Sequence, residues 1–151
     1  VVHRFNDLVK PDSLYIGQKD YQQCMVIKTL VRLIGLENKI AVNISPTLRE
    51  PDGLAMSSRN ARLTEIDRNI AVKIFETLQF IRHEIKPGNL DMLKKQGAQR
   101  LTDSGFKIDY VEIADAATLQ IIGQWDGEQK LVTLAAAFLN GVRLIDNILL
   151  S

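Results

Sequence analysis

Apolar residues recur at helical spacing from the first position: Val1, Val2, Phe5, Leu8 and Val9 share one face before Pro11-Asp12 stops the run. Ser13 to Ile16 is a short β-leaning run that ends at Gly17. Asp20 then opens a second helix, with Met25, Val26, Leu30, Ile34 and Leu36 expected to supply its apolar face. Lys39 to Ile44 is β-branched and apolar and closes at Ser45-Pro46. Strand, helix and strand within roughly thirty residues predict a βαβ unit, with parallel strands and a right-handed crossover.

The pattern changes character after that. Thr47 to Arg62 is a polar loop with Pro51-Asp52-Gly53 at its centre. Thr64 with Asp67 has the spacing of a reciprocal helix cap. Ile66, Ile70, Ile74, Leu78, Ile81 and Ile85 then carry an apolar stripe to the break at Pro87-Gly88. A further helix is expected from Leu90 to Asp103, ended by Gly105. Strands are expected over Lys107 to Ile113 and over Leu131 to Leu139. Asn140-Gly141 between two apolar runs predicts a tight hairpin, so Val142 to Leu149 should pair antiparallel with the strand before it. The expected fold class is α/β: the tail of a parallel sheet over residues 1–47, then a small α+β domain with an antiparallel sheet over 48–151.

Composition narrows the function classes. The 151 residues are 46% hydrophobic and 25% charged, as in soluble globular chains. A net charge of +1 gives no field that would favour nucleic acid or membrane partners. The longest apolar stretch, Leu131 to Leu139, is too short to span a bilayer as a helix. The single cysteine, Cys24, excludes an internal disulfide and fits a reducing compartment, so a cytoplasmic location is expected. The chain opens in what reads as the middle of a helix, without Met, as expected of a piece of something longer.

Candidate chemistry gathers at the strand ends, because ligands of parallel sheets bind outside the carboxyl ends of the strands. Gly17, Gln18, Lys19 and Asp20 follow one strand, and Pro46 to Asn60 follows the next. Gly17 permits close backbone approach, and Lys19 offers a point charge. The helix opening at Asp20 contributes oriented N–H groups. Asp20 and Gln23 equally satisfy a purely structural reading, capping their own helix reciprocally. Ser57, Ser58 and Arg59 offer two adjacent hydroxyls and a permanently charged guanidinium, which suit phosphate oxygens. The same residues also suit a solvated loop entering the next helix. His3 and His83 are read as solvated or packing residues, and Cys24 as a small core residue. No cluster with metal-ligand spacing is present.

The stretches Phe5-Asn6 through Pro11-Asp12, Gly17 to Gln23 (GQKDYQQ), Arg49 to Asn60 (REPDGLAMSSRN) and Arg143 to Asn147 (RLIDN) are similar to the pantothenate synthetase family, the pantoate–β-alanine ligases. The resemblance covers nearly the whole chain, and REPDGLAMSSRN is its most specific part. It implies a C-terminal part of such an enzyme, beginning inside a Rossmann-like nucleotide-binding domain. Within the wider superfamily, the Met56-Ser57-Ser58-Arg59 loop stands where class I tRNA synthetases carry their KMSKS-type loop.

The resemblance further implies condensation of pantoate with β-alanine, using ATP and Mg²⁺, through a pantoyl-adenylate. By motif position, Lys19, Ser57, Ser58 and Arg59 would contact the ATP phosphates, and Asp20 the ribose. Gly17 and the backbone near Leu48 and Met56 would surround the nucleoside, and Gln23 would hold pantoate. Gln18 departs from the family, which usually has an acidic residue there. The family's His-x-Gly-His motif and its other pantoate-binding glutamine lie in an N-terminal half that this sequence lacks. That half is therefore an expected partner, a homodimer is expected of the complete enzyme, and the isolated chain is expected to be inactive. Two alternatives stand beside this reading: an adenylyltransferase of the same superfamily, and a non-catalytic nucleotide-binding or assembly module.

Overall fold

The structure, a computed structural model, describes residue 4 and residues 8–150. Of the expected opening helix, Val1, Val2 and Phe5 lie outside the described residues, while Arg4, Leu8 and Val9 are helical. The chain divides into two compact units, one ending at Thr47 and one starting at Leu48.

In the first unit β1 (Ser13–Gly17) and β2 (Ala41–Ser45) pair in parallel, in register from Ser13 opposite Ala41 to Gly17 opposite Ser45. A 3₁₀ turn, Gln18–Asp20, leads from β1 into α1 (Tyr21–Leu33). Ile27, Val31 and Ile40 form a small core, with Leu14, Ile16, Leu36 and Val42 packed against it.

The buried face of α1 differs from the expected one. Tyr21, Cys24, Ile27 and Val31 turn inward, whereas Val26 is exposed and Met25, Leu30, Ile34 and Leu36 are only half-buried. This helix carries apolar residues on more than one side, so 3.6-residue periodicity admits two stripes. The stripe that packs is the one containing Cys24, Ile27 and Val31, two of which are β-branched and all of which are compact. Cys24 is fully buried, as read from sequence. Its thiol donates to the Gly17 carbonyl oxygen at 3.4 Å. Burial pushes its pKa up, which favours the unreactive protonated form.

The second unit packs helices against a three-stranded antiparallel sheet of order β4 (Lys107–Asp115), β6 (Leu131–Leu139), β7 (Val142–Leu150). Its helices are α2 (Glu65–Ala71), α3 (Lys73–Glu84) and α4 (Asp91–Asp103). Leu78, Ile81, Leu101, Ile113 and Leu131 are among the residues of a continuous core joining α3 and α4 to the sheet. Asn140 and Gly141 have φ of 46° and 80°, so both central residues of the β6–β7 turn are left-handed, as a type I′ hairpin requires. Pairing runs from Leu139 opposite Val142 to Leu131 opposite Leu150.

Thr64 and Asp67 form the expected reciprocal cap: the Thr64 hydroxyl oxygen accepts from the Asp67 N–H at 3.1 Å, and the Asp67 carboxylate accepts from the Thr64 N–H. The single helix expected across Ile66 to Ile85 is two helices meeting at Val72, and Ile66 points to solvent. β4 extends two residues beyond Ile113. One sheet element had no signal in the pattern: β3 (Gly88–Asn89) pairs antiparallel with β5 (Gln124–Trp125). Two residues per strand are too few to show a period.

Candidate functional site

The candidate residues fall into two groups, one in each unit. In the first, the last register step pairs Gly17 with Ser45, so the segments after β1 and β2 leave the same end of the parallel pair. Gly17 is extended, with φ −69° and ψ 130°, and a side-chain carbon built there would meet nothing within 4 Å. Glycine is therefore not demanded by packing inside this chain, which leaves room for something else to approach the backbone. Lys19 is largely covered, and its Nζ lies 3.9 Å from an Asp20 carboxylate oxygen. Gln23 is exposed on the first turns of α1.

The capping alternative for Asp20 and Gln23 does not hold. Asp20 is the N-cap of α1, yet its side chain makes no capping hydrogen bond. Its φ of −94° and ψ of 54° lie outside the extended region from which an N-cap side chain reaches back to the helix N–H groups. The chain enters α1 through a 3₁₀ turn instead, and that turn orients the Asp20 carboxylate beside Lys19.

The second group sits on a small hairpin. Arg49 and Ala55 form an antiparallel bridge. Glu50 N–H donates to the Leu54 carbonyl, Met56 N–H to the Leu48 carbonyl, and Gly53 N–H to the Glu50 carbonyl, all at 2.9 Å. Asp52 Oδ1 accepts from the Leu54 N–H at 3.0 Å, closing the tip. Gly53 has φ +96°, and a Cβ there would fall 2.3 Å from the Phe75 ring, so only glycine fits this turn. Ser57 follows in extended conformation and caps the 3₁₀ helix Ser58–Arg62, its Oγ accepting from the Arg59 N–H at 3.2 Å. Asn60 Nδ2 donates to the Ala55 carbonyl at 3.1 Å and ties this helix back to the hairpin. Ser58 and Arg59 are exposed, and Arg59 makes no ion pair among the described residues. Leu48 and Met56 are also exposed.

Two residues quoted only as part of the motifs turn out to hold this hairpin. Arg49 donates to Asp146 with both terminal nitrogens, at 2.6 and 3.0 Å, and to the Gly53 carbonyl at 3.0 Å. Its guanidinium lies over the Phe75 ring, 4.1 Å from the centroid. Asp146 is buried on β7 and also accepts from the Asn147 N–H at 2.8 Å. Ninety-seven positions separate the partners, so no local periodicity could connect them. Their occurrence in the two family-like stretches was the only available signal. His83 is exposed on α3, consistent with a solvated residue, and His3 lies outside the described residues. Among the described residues no group of three or more His, Cys, Asp or Glu side chains could hold a metal ion. No helix among them is long and apolar enough to cross a membrane.

This α/β fold, with a parallel strand pair and an antiparallel sheet, is that of solved pantothenate synthetases. The structure of that enzyme from Thermus thermophilus matches with a TM-score of 0.85 and 33% identity, over 97% of this chain and 52% of that one. Pantoate-beta-alanine ligase from Francisella tularensis, complexed with beta-gamma ATP and beta-alanine, matches with a TM-score of 0.68 and 33% identity over 98% of this chain and 47% of that one. The family model for pantoate-beta-alanine ligase matches residues 1–149. The chain belongs to the pantoate-beta-alanine ligase family. Among curated relatives, the pantothenate synthetase of Azobacteroides pseudotrichonymphae is 41% identical over 149 residues, 98% of this chain and 52% of that protein. That of Shewanella woodyi is 42% identical over 149 residues, with the same coverages. The chain thus spans about half the length of the curated relatives it matches.

Proposed function

We propose that this chain is the C-terminal part of an ATP-dependent ligase that joins pantoate to β-alanine. Residues 1–47 would complete a Rossmann-like nucleotide-binding domain, and residues 48–151 would form the small domain carrying the Met56-Ser57-Ser58-Arg59 loop. The observation that carries this reading is the family match across residues 1–149 combined with coverage of half of each relative. It favours a ligase over an adenylyltransferase.

In the first step a pantoate carboxylate oxygen attacks the α-phosphorus of ATP, and the bond to pyrophosphate breaks. Charge grows on the phosphoryl oxygens and on the leaving pyrophosphate. Lys19, Ser57, Ser58 and Arg59 would stabilise that charge as fixed donors. The residues suit this role: Ser58 and Arg59 are exposed, and Ser57 retains its O–H as a donor while its oxygen caps the Arg59 N–H. Asp20 would bind the ribose and Gln23 pantoate, with Gly17 leaving space for the nucleotide. Since Met56 N–H is committed to the Leu48 carbonyl, the nucleoside would meet the Leu48 N–H and the Met56 carbonyl. Mg²⁺ would arrive on the phosphates and neutralise part of their charge. In the second step the β-alanine amine attacks the acyl carbon of the adenylate, and AMP leaves. This step calls for positioning and exclusion of water rather than a protein nucleophile.

The remaining part of a relative's length would supply the His-x-Gly-His motif and the rest of the pantoate site, and the complete enzyme would act as a cytoplasmic homodimer. The test is pantoate-dependent pyrophosphate release by a polypeptide joining residues 1–151 to the N-terminal half of a relative. Release that requires pantoate is expected. Release that is indifferent to pantoate, or transfer of AMP onto a phosphate acceptor, would overturn the reading.

A further inference from the structure

The Arg49–Asp146 pair joins the start of the candidate nucleotide loop to the middle of β7, and its geometry exceeds what a surface ion pair provides. It is bidentate, and the Asp146 side chain is 3% exposed. The fork geometry fixes the plane of the guanidinium as well as its position. That plane is used twice more: one edge donates to the Gly53 carbonyl at the hairpin tip, and one face rests on Phe75 of α3. Gly53 in turn sits against the same ring with no space for a side chain. One guanidinium therefore pins both the base and the tip of the 48–56 hairpin to two other elements. Arg68 adds weaker contacts from α2, 3.6 Å from Glu50 and 3.9 Å from Asp52. The segment Met56 to Arg59 leaves this hairpin directly, and Asn60 binds back to its Ala55 carbonyl.

We propose that Arg49 and Asp146 are positioning residues for the ligase reaction, fixing the hairpin that presents Ser57, Ser58 and Arg59. This rests on the function proposed above, but the pinning itself can be measured without it. A pair that served stability alone would be replaceable by an apolar pair of similar volume, because what harms a fold is one buried charge left without its partner. A positioning pair would not be replaceable in that way, since the fork and its bond to the Gly53 carbonyl would be gone.

Two variants separate the cases. Arg49→Lys keeps the charge and loses the fork, and Arg49→Met combined with Asp146→Leu removes both charges. In the 151-residue chain, each folded variant should exchange the backbone N–H groups of Met56 and Asn60 on the order of tenfold faster, with β6 and β7 as protected as in the parent. In the ligase polypeptide, adenylate formation in a single turnover should fall on the order of 10²-fold, as for a small misplacement of reacting groups. The KM for β-alanine should not change. Unchanged exchange at Met56 and Asn60 in a variant with parental melting temperature would overturn the proposal. So would a double variant that recovers both stability and adenylation. Failure of the parent polypeptide to form an adenylate would instead count against the proposed function, and the exchange result would still decide the pinning.

Discussion

The two units differ in how much of their own apolar surface they bury. From Leu48 onward, helices cover a sheet whose central strand, β6, is buried along almost its whole length. Up to Thr47, a parallel pair and one helix leave Tyr15, Val26 and Leu33 between 63% and 75% exposed. A two-stranded parallel sheet also has an open edge on each strand, with N–H and C=O groups that solvent or another strand must satisfy. Parallel sheets are ordinarily covered on both faces and extended by further strands. The second unit therefore has the makings of an independent folding unit, whereas the first leaves more of its apolar surface uncovered among the described residues. On the proposed function the phosphate donors divide in the same way, Lys19 in the first unit and Ser57, Ser58 and Arg59 in the second.

The largest expected effect concerns activity. Purified residues 1–151, incubated with ATP, Mg²⁺, pantoate and β-alanine, should make no pantothenate above a boiled control. Detectable product would break the comparison, because the chain would then hold a complete site.

Stability should separate the units next. Leu78 is fully buried in the second unit, and Leu78→Ala should cost about 2–5 kcal/mol in denaturant unfolding. Val26→Ala on the exposed side of α1 should change the same measurement by less than about 0.5 kcal/mol. Comparable costs at the two sites would mean that α1 is covered in solution. Self-association is expected without α1, through the unpaired outer edges of β1 and β2. Light scattering over a dilution series should show dimers or larger species formed through residues 1–45. A uniform mass near 17.0 kDa at high micromolar concentration would contradict that.

A smaller effect should appear with pH. The Thr64 hydroxyl first, and then the Asn140 side chain, bind the Asp67 carboxylate and hold its pKa below the ordinary 3.8. A folded value below the unfolded one contributes stability that is fully present above pH 3.8. It is lost as pH falls through the folded value. Asp67→Asn should lower stability at neutral pH and flatten the loss of stability below pH 3.8, measured by thermal unfolding from about pH 7 to about pH 2. An acid limb as steep as the parent's would remove Asp67 from that role.

What could be read from sequence follows the range of the interactions. The capping box spans three residues and the Asn140-Gly141 turn two, so each carries its determinants in adjacent letters, and both formed as expected. The βαβ unit was legible because two β-leaning runs, closed by Gly17 and by Ser45-Pro46, flank a helical pattern. The face of α1 was not, since a helix apolar on several sides lets tertiary packing choose the stripe. The alternative of a cap at Asp20 failed for a local reason invisible in spacing, the 3₁₀ entry that sets its carboxylate beside Lys19. β3 and β5 are too short to leave a pattern. The Arg49–Asp146 pair joins opposite ends of the second unit, and only the fold brings them together.

The proposed phosphate site is tested most directly by single-turnover adenylation. The polypeptide joining residues 1–151 to the N-terminal half of a relative would be mixed with ATP and pantoate, and pyrophosphate release followed in the parent and in Lys19→Ala and Arg59→Ala. Loss of either preorganised cation should slow the step on the order of 10²–10³-fold, with a much smaller change in pantoate binding. A slowing of less than about threefold in both variants would leave Lys19 as a covered neighbour of Asp20 and Arg59 as an ordinary solvated loop residue, and contradict the assignment.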